Sequence, residues 1–215
     1  MVSAANTAGV PTPSAVADGP AWAVARRFPP QGGWDDADYF ELDDAYPRFE
    51  LVDRTPAELS TPTELHQDLM EWLVGKLKAH LGRHHARTPG YKLRIRDRIP
   101  RRRNDYRFPD VIASADRRGF GKQLTTTADL VVKVLSPGVS NRDRDLREKR
   151  ADYAEAGVPE YWIVDAEAET LTQLRLVGEA YEEVGVFGVA DSVASTAIPD
   201  FAVDLAEMFD GVAEG

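Results

Sequence analysis

Apolar and polar positions recur along this chain with two periods, near 2 and near 3.6, and the switches between them mark its elements. Phe49-Glu50-Leu51-Val52-Asp53 reads as a short strand ending in a turn. Leu65, Leu69, Trp72, Leu73, Leu77 and Leu81 then follow at helical spacing. Thr61 suits the N-cap of that helix, Pro62 its first position, and Glu64 completes a capping box, so a helix is predicted from 62 to about 81. From Tyr91 to Ile99 the alternation is strict, with Leu93, Ile95 and Ile99 on one side and Lys92, Arg94, Arg96 and Arg98 on the other. This is the pattern of a half-buried strand with a basic outer face.

Arg101 to Asn104 reads as a polar turn, and Phe108 to Ser114 as the next strand. Leu130 to Leu135 is apolar except at Lys133 and is predicted to be a central strand covered on both faces. Ser136-Pro137-Gly138 stops it. Ser140 or Asn141 can cap a helix over Asp143 to Ala156, which Gly157 and Pro159 end. A strand at Glu160–Val164, a hairpin from Thr170–Leu176 and Tyr181–Val186, and a terminal helix over Leu205–Phe209 complete the chain. The order predicts an α/β fold with a mixed central β-sheet flanked by helices. Residues 1–20, rich in Ala, Gly, Pro, Ser and Thr, are expected to be a disordered tail. Residues 21–48 form a lead-in, and 49–212 one domain.

Composition adds a charge asymmetry. The net charge is −10, yet residues 76–150 hold 21 of the 26 Lys and Arg and only 8 of the 36 Asp and Glu. That segment is +13 and the remainder −23. A basic middle can attract phosphates, or can pair with the acidic flanks within the molecule. The chain has no cysteine, which excludes a disulfide framework and a Cys-based zinc site and suits a reducing cytoplasm. No apolar run has the length of a membrane span, and the N-terminus lacks the pattern of a secretory signal.

The candidate chemistry lies in a few segments. Pro109-Asp110 ends on a carboxylate beside an apolar run. Leu130-Val131-Val132-Lys133-Val134-Leu135-Ser136-Pro137 is followed by Asp143, Lys149, Tyr153 and then Gly157-Val158-Pro159-Glu160-Tyr161-Trp162-Ile163-Val164-Asp165. With Phe49–Asp53 and His66, these segments resemble the Uma-type family of restriction-endonuclease-like proteins, within the PD-(D/E)XK nuclease superfamily. The resemblance spans about residues 36–210 and implies a restriction-endonuclease-like core that cuts DNA with Mg²⁺ or Mn²⁺. It implies Asp110 as a metal ligand, Glu50 as a further acidic ligand and Lys149 as the catalytic lysine, carried on a helix. Leu146, Lys149, Arg150 and Tyr153 fall on one helical face, which would turn Lys149 toward the sheet. The alternative for Lys149 is an aliphatic stem lying over that face with its ammonium in water. His66, on the flank of the first helix, reads as a packing or supporting histidine.

Lys133 departs from the pattern, because the resemblance places a glutamate there. An ammonium in that position adds two units of positive charge beside a metal. A buried ammonium is costly without a partner, so pairing with Asp110, Glu50 or both, in the place of the ion, is the preferred expectation. Lys133 as the working lysine, a neutral Lys133, an outward side chain and an introduced, silencing substitution are the alternatives. The expected function is a metal-dependent DNA endonuclease. The alternative is a catalytically defective relative that binds nucleic acid or a protein partner. Arg94, Arg96, Arg98, Arg101, Arg102 and Arg103 are candidates for contacting a DNA backbone, and a homodimer would suit cleavage of both strands.

Overall fold

The computed structural model describes residues 29–45, 49–59, 61–87, 92–95, 105–116, 124–135 and 139–210, with backbone alone for 43–45, 92–95 and 139–146. The predicted tail, the turn at Arg101–Asn104, and Arg96 and Arg98 lie outside these residues, as does the side chain of Arg94.

Among the described residues a six-stranded mixed sheet dominates, in the order β11-β10-β9-β8-β6-β3. Its strands are β3 (Ala86–Arg87), β6 (Val111–Ala113), β8 (Leu130–Val134), β9 (Glu160–Asp165), β10 (Thr170–Val177) and β11 (Ala180–Phe187). β8 and β9 run parallel, and the other neighbours are antiparallel. A parallel pair needs a crossover. Here it is the helix α3 (Val139–Glu155). A second sheet, in the order β2-β1-β5-β4-β7, comprises β1 (Phe49–Val52), β2 (Thr55–Glu58), β4 (Lys92–Ile95), β5 (Asp105–Arg107) and β7 (Leu124–Thr125). The hairpin of β12 (Ser192–Ala194) and β13 (Ala202–Asp204) lies near the C-terminus.

Two helices cover the six-stranded sheet, one on each face. Helix α2 (Glu64–Leu81) buries Leu69, Met70, Leu73, Val74 and Leu77 against Leu130, Val132, Val134, Trp162 and Val164. Helix α3 places Tyr153 and Ala154 against Val131, Tyr161 and Ile163. Successive residues of β8 and β9 thus go to opposite cores, as the period of 2 requires. Both strands are buried throughout, which is why their sequences read as continuous apolar runs. Lys133 is in register with Ile163 and so belongs to the α3 face. Helix α1 (Asp36–Ala45) lies in the lead-in, where Trp34, Tyr39 and Leu42 pack on Leu51 and Tyr106. Helix α4 (Leu205–Asp210) closes the C-terminal end, and no described helix is long and apolar enough to cross a membrane.

Several boundaries differ from the sequence expectation. Thr63, not Thr61, caps α2, its Oγ1 accepting from the His66 N–H at 3.3 Å. Two threonines flank Pro62, and the one three residues before a free N–H takes the cap. Helix α3 begins at Val139, so Ser140 and Asn141 lie within it. The predicted strand over Phe108–Ser114 narrows to Val111–Ala113, because Phe108-Pro109-Asp110 forms the link that carries the chain from β5 into β6. That link joins the two sheets. At the other end of the fold, Glu160 is fully buried and matched by neutral donors. Its oxygens accept from Trp162 Nε1 (2.7 Å), Gln173 Nε2 (2.6 Å), the Ser195 hydroxyl and the N–H groups of Thr196 and Ala197. It ties β9 and β10 to the segment between β12 and β13.

Gly157 ends α3 at φ +73, with Val158 N–H bonded to the Tyr153 carbonyl and Gly157 N–H to that of Ala154. This is a Schellman cap. A Cβ at Gly157 would meet nothing within 4 Å, so Gly157→Ala carries only the left-handed backbone penalty. It is expected to lower stability by ~1–2 kcal/mol in urea unfolding, with no change in far-UV circular dichroism. An unchanged midpoint would contradict this account of the cap.

Candidate functional site

Strand β1 buries Glu50 completely, between Phe49 and Leu51 of a hairpin whose two-residue turn, Asp53-Arg54, has both φ angles positive. Arg54 holds that turn, donating from Nε to the Trp34 carbonyl (3.0 Å) and from Nη2 to that of Gly33 (2.8 Å). A carboxylate at this depth needs donors on every side. Glu50 Oε1 accepts from the Phe108 N–H at 3.0 Å and lies 3.0 Å from Lys149 Nζ, while Oε2 accepts from Arg107 Nη1 at 3.0 Å. Arg107 reaches on to Asp152, its Nε 2.6 Å from Oδ2 with Nη2 against the same oxygen. Burial raises the Glu50 carboxyl, but Lys149, Arg107 and the Phe108 N–H outweigh it and hold it below the usual carboxylate range. Asp152 is shifted upward, chiefly by burial, against the opposing pull of Arg107.

Two residues after Phe108 comes Asp110, on the link between the sheets. Its Oδ2 accepts from Lys133 Nζ (2.8 Å) and the Val134 N–H (2.7 Å), and its Oδ1 lies 3.2 Å from His66 Nε2. Burial works to raise this carboxyl, and Lys133 and His66 overcome it, leaving Asp110 well below its ordinary value. Asp110, Lys133 and His66 are each less than 10 % exposed.

The four residues singled out from the sequence therefore meet in two linked ion clusters. Lys149 sits on Glu50, Glu50 on the backbone of Phe108, and Asp110 on Lys133. Cα atoms two residues apart are separated by at most about 7 Å, so Phe108 and Asp110 hold the clusters close. Lys133 pairs with Asp110, as expected. Lys149 points inward at 1 % exposure, against the alternative of an ammonium in water. His66 is a direct partner of Asp110.

Arg107 and Asp152 were missed by the sequence reading. Arg107 ends a three-residue strand and Asp152 lies one turn beyond Lys149 on α3. The only signal was their spacing, since Lys149 and Asp152 are three apart on one helical face. A cavity of about 550 Å³ opens elsewhere, between α3 and β11, where Arg150 Nη2 donates to the Tyr181 carbonyl (2.6 Å). None of the cluster residues lines it.

Among the described residues, the arrangement around Glu50 and Asp110 does not fit a Mg²⁺ ion. Mg²⁺ needs carboxylate oxygens with lone pairs to give, in near-octahedral geometry. Both oxygens of Glu50 and both of Asp110 already face donors or cations. Among the described residues, no group of three or more His, Asp or Glu side chains is placed to hold a metal.

The two sheets and their flanking helices define a nuclease-like α/β protein. The fold is similar to that of a putative nuclease belonging to DUF820 from Anabaena variabilis, with a TM-score of 0.61 and 14% identity, over 86% of this chain and 99% of that one. The chain belongs to the Uma2 family, described as putative restriction endonuclease, which it matches over residues 36–206. No curated protein sequence matches it.

Two predictions follow from the electrostatics. Arg107→Met leaves the buried Glu50 and the half-buried Asp152 short of their shared cation and is expected to cost ~3–5 kcal/mol in urea unfolding. A cost under ~1 kcal/mol would remove Arg107 from the cluster. Asp105 is pushed up to about 6 by burial and then by the Asp53 and Asp152 carboxylates. The folded chain thus holds this proton more tightly than the unfolded chain, so stability falls as pH rises from the ordinary value, 3.8, through about 6. Asp105→Asn is expected to raise the Tm at about pH 8 and to lose that advantage near pH 4. An equal gain at both pH values would sink the assignment.

Proposed function

We propose that this chain is a nuclease-type protein that engages DNA through its basic segment, residues 76–150, and does not cut it with the residues it now carries around Glu50 and Asp110. The observation carrying this reading is the Asp110 carboxylate, held by Lys133, the Val134 N–H and His66. A hydrolytic site needs an oxygen able to take a proton or to share an ion. Glu50 and Asp110, with their acidities strengthened, are weak bases near neutral pH, and their oxygens are engaged. No step of phosphodiester hydrolysis is therefore assigned to them. Lys149 and Arg107 keep Glu50 ionised, and Lys133 does the same for Asp110.

Family membership supports DNA as the partner, and so does the +13 segment of residues 76–150. Arg94, Arg96, Arg98, Arg101, Arg102 and Arg103 belong to that segment and are proposed as backbone contacts. Such contacts release counterions, so affinity should fall steeply with salt.

Membership also favours a second reading, in which Asp110 and Glu50 are ligands of Mg²⁺ or Mn²⁺ and Lys149 is the catalytic lysine of an active endonuclease. Two assays decide. Fluorescence anisotropy with a labelled duplex is expected to show binding that weakens with salt. Supercoiled plasmid incubated with Mg²⁺ or Mn²⁺ is expected to stay intact. Nicking by the parent chain that disappears in Asp110→Asn would replace the proposal with the second reading. Absence of duplex binding at low salt would overturn both.

A further inference from the structure

Among the described residues, the ion pairs on Asp110 and Glu50 balance. Three carboxylates, Glu50, Asp110 and Asp152, are joined through ion pairs to three basic groups, Arg107, Lys133 and Lys149. The set is neutral before His66 is counted. A neutral set of ion pairs has no electrostatic need of a divalent ion, and His66 already lies against Asp110 Oδ1. Changing residue 133 from a base to an acid would shift the same set by two units, to minus two, which one divalent ion cancels.

The backbone places residue 133 where such an acid would matter. Val111 and Val132 are the last pair of β6 and β8, and Asp110 lies just beyond it. Asp110 N–H donates to the Val132 carbonyl (3.2 Å) and Val134 N–H to Asp110 Oδ2 (2.7 Å). Asp110 is thus held by the backbone on both sides of residue 133, whose ammonium lies on the carboxylate at 2.8 Å. A glutamate side chain ends one atom short of a lysine. The gap it would leave is close to what two metal–oxygen bonds of ~2.0–2.1 Å span.

We infer that Lys133 is the resident cation of this site. Its ammonium stands where a divalent ion would, the chain takes no Mg²⁺ or Mn²⁺ there, and Lys133→Glu alone opens a divalent-cation site between Asp110 and residue 133. This rests on the proposed reading of the Glu50–Asp110 region, but its test uses no DNA. Failure of the duplex-binding assay and failure of the metal assay are therefore separate results.

The experiment is Mn²⁺ titration of the full chain, read by the electron paramagnetic resonance signal of free Mn²⁺, with Tm as a second readout. The parent is expected to bind no Mn²⁺ that depends on Asp110, and its Tm should not respond to the ion. Lys133→Glu is expected to bind one Mn²⁺ at least ~100-fold more tightly than the parent. Its Tm should be lower than the parent's in chelator and rise with Mn²⁺, since an ion that binds only the folded state stabilises it. Adding Asp110→Asn should abolish that response. Should Lys133→Glu be unfolded in chelator, recovery of its far-UV circular dichroism on adding Mn²⁺ carries the same meaning. The inference is overturned if the parent binds Mn²⁺ and loses it on Asp110→Asn. It is equally overturned if Lys133→Glu folds without binding Mn²⁺, stays unfolded with Mn²⁺ present, or binds it regardless of Asp110→Asn.

Discussion

A carboxylate with no exposure must be matched by donors, and in Glu50 that requirement ties three parts of the fold together. Glu50 belongs to β1. Its donors come from the end of β5, where Arg107 and the Phe108 N–H lie, and from α3, which supplies Lys149. The five-stranded sheet is thereby fixed to the crossover helix of the six-stranded one. The Phe108-Pro109-Asp110 link between the sheets is anchored at its first residue by Glu50 and at its last by Lys133, Val134 and His66. If Glu50 lost its partners, the link would lose its anchor, and Asp110 its fixed place beside β8.

Two buried glutamates in this molecule show how the choice of donor separates scaffold from site. Glu160 is matched by an indole, an amide, a hydroxyl and two backbone N–H groups, all neutral. Dipoles of this kind can satisfy the oxygens of a carboxylate without a partner cation, and they serve to lock the C-terminal segment onto β9. Glu50 is matched by a guanidinium, an ammonium and one N–H. Clusters of acids and bases at such depth are costly relative to apolar packing and are weak evidence for stability. Perturbed carboxyls held by specific charge partners are instead a mark of functional sites.

Much of this was legible in the sequence because burial on two faces leaves a simple trace. The apolar runs of β8 and β9 gave the centre of the sheet, and the interruption at Lys133 gave the anomaly. Lys149 could be turned inward by helical spacing alone. What could not be read were the contributions of short elements. β5 has three residues, and nothing periodic marks Arg107 as buried or Asp152 as its partner. Thr61 and Thr63 are both plausible caps by composition, and only the bond to the His66 N–H separates them. The pairing of Asp110 with Lys133 instead of Glu50 also needed coordinates, since it depends on the link between the sheets setting Asp110 against the end of β8.

The Lys133–Asp110 contact is the reason, on the proposed reading, that membership of a nuclease-like family does not by itself carry the family's chemistry to this chain. The fold delivers acids, bases and a crossover helix to one place, and does so through backbone pairing of β8 and β9 in which the side chain of residue 133 takes no part. Chemistry depends on the local sum of charge, which one side chain can change by two units. A site with surplus negative charge recruits an ion from solution, and its activity then follows ion concentration. A site that carries its own ammonium is complete when the chain folds, with Asp110 ionised and its oxygens occupied. On the proposed reading, the same geometry can hold a reactive centre or a static, neutral one, and the side chain of residue 133 decides between them.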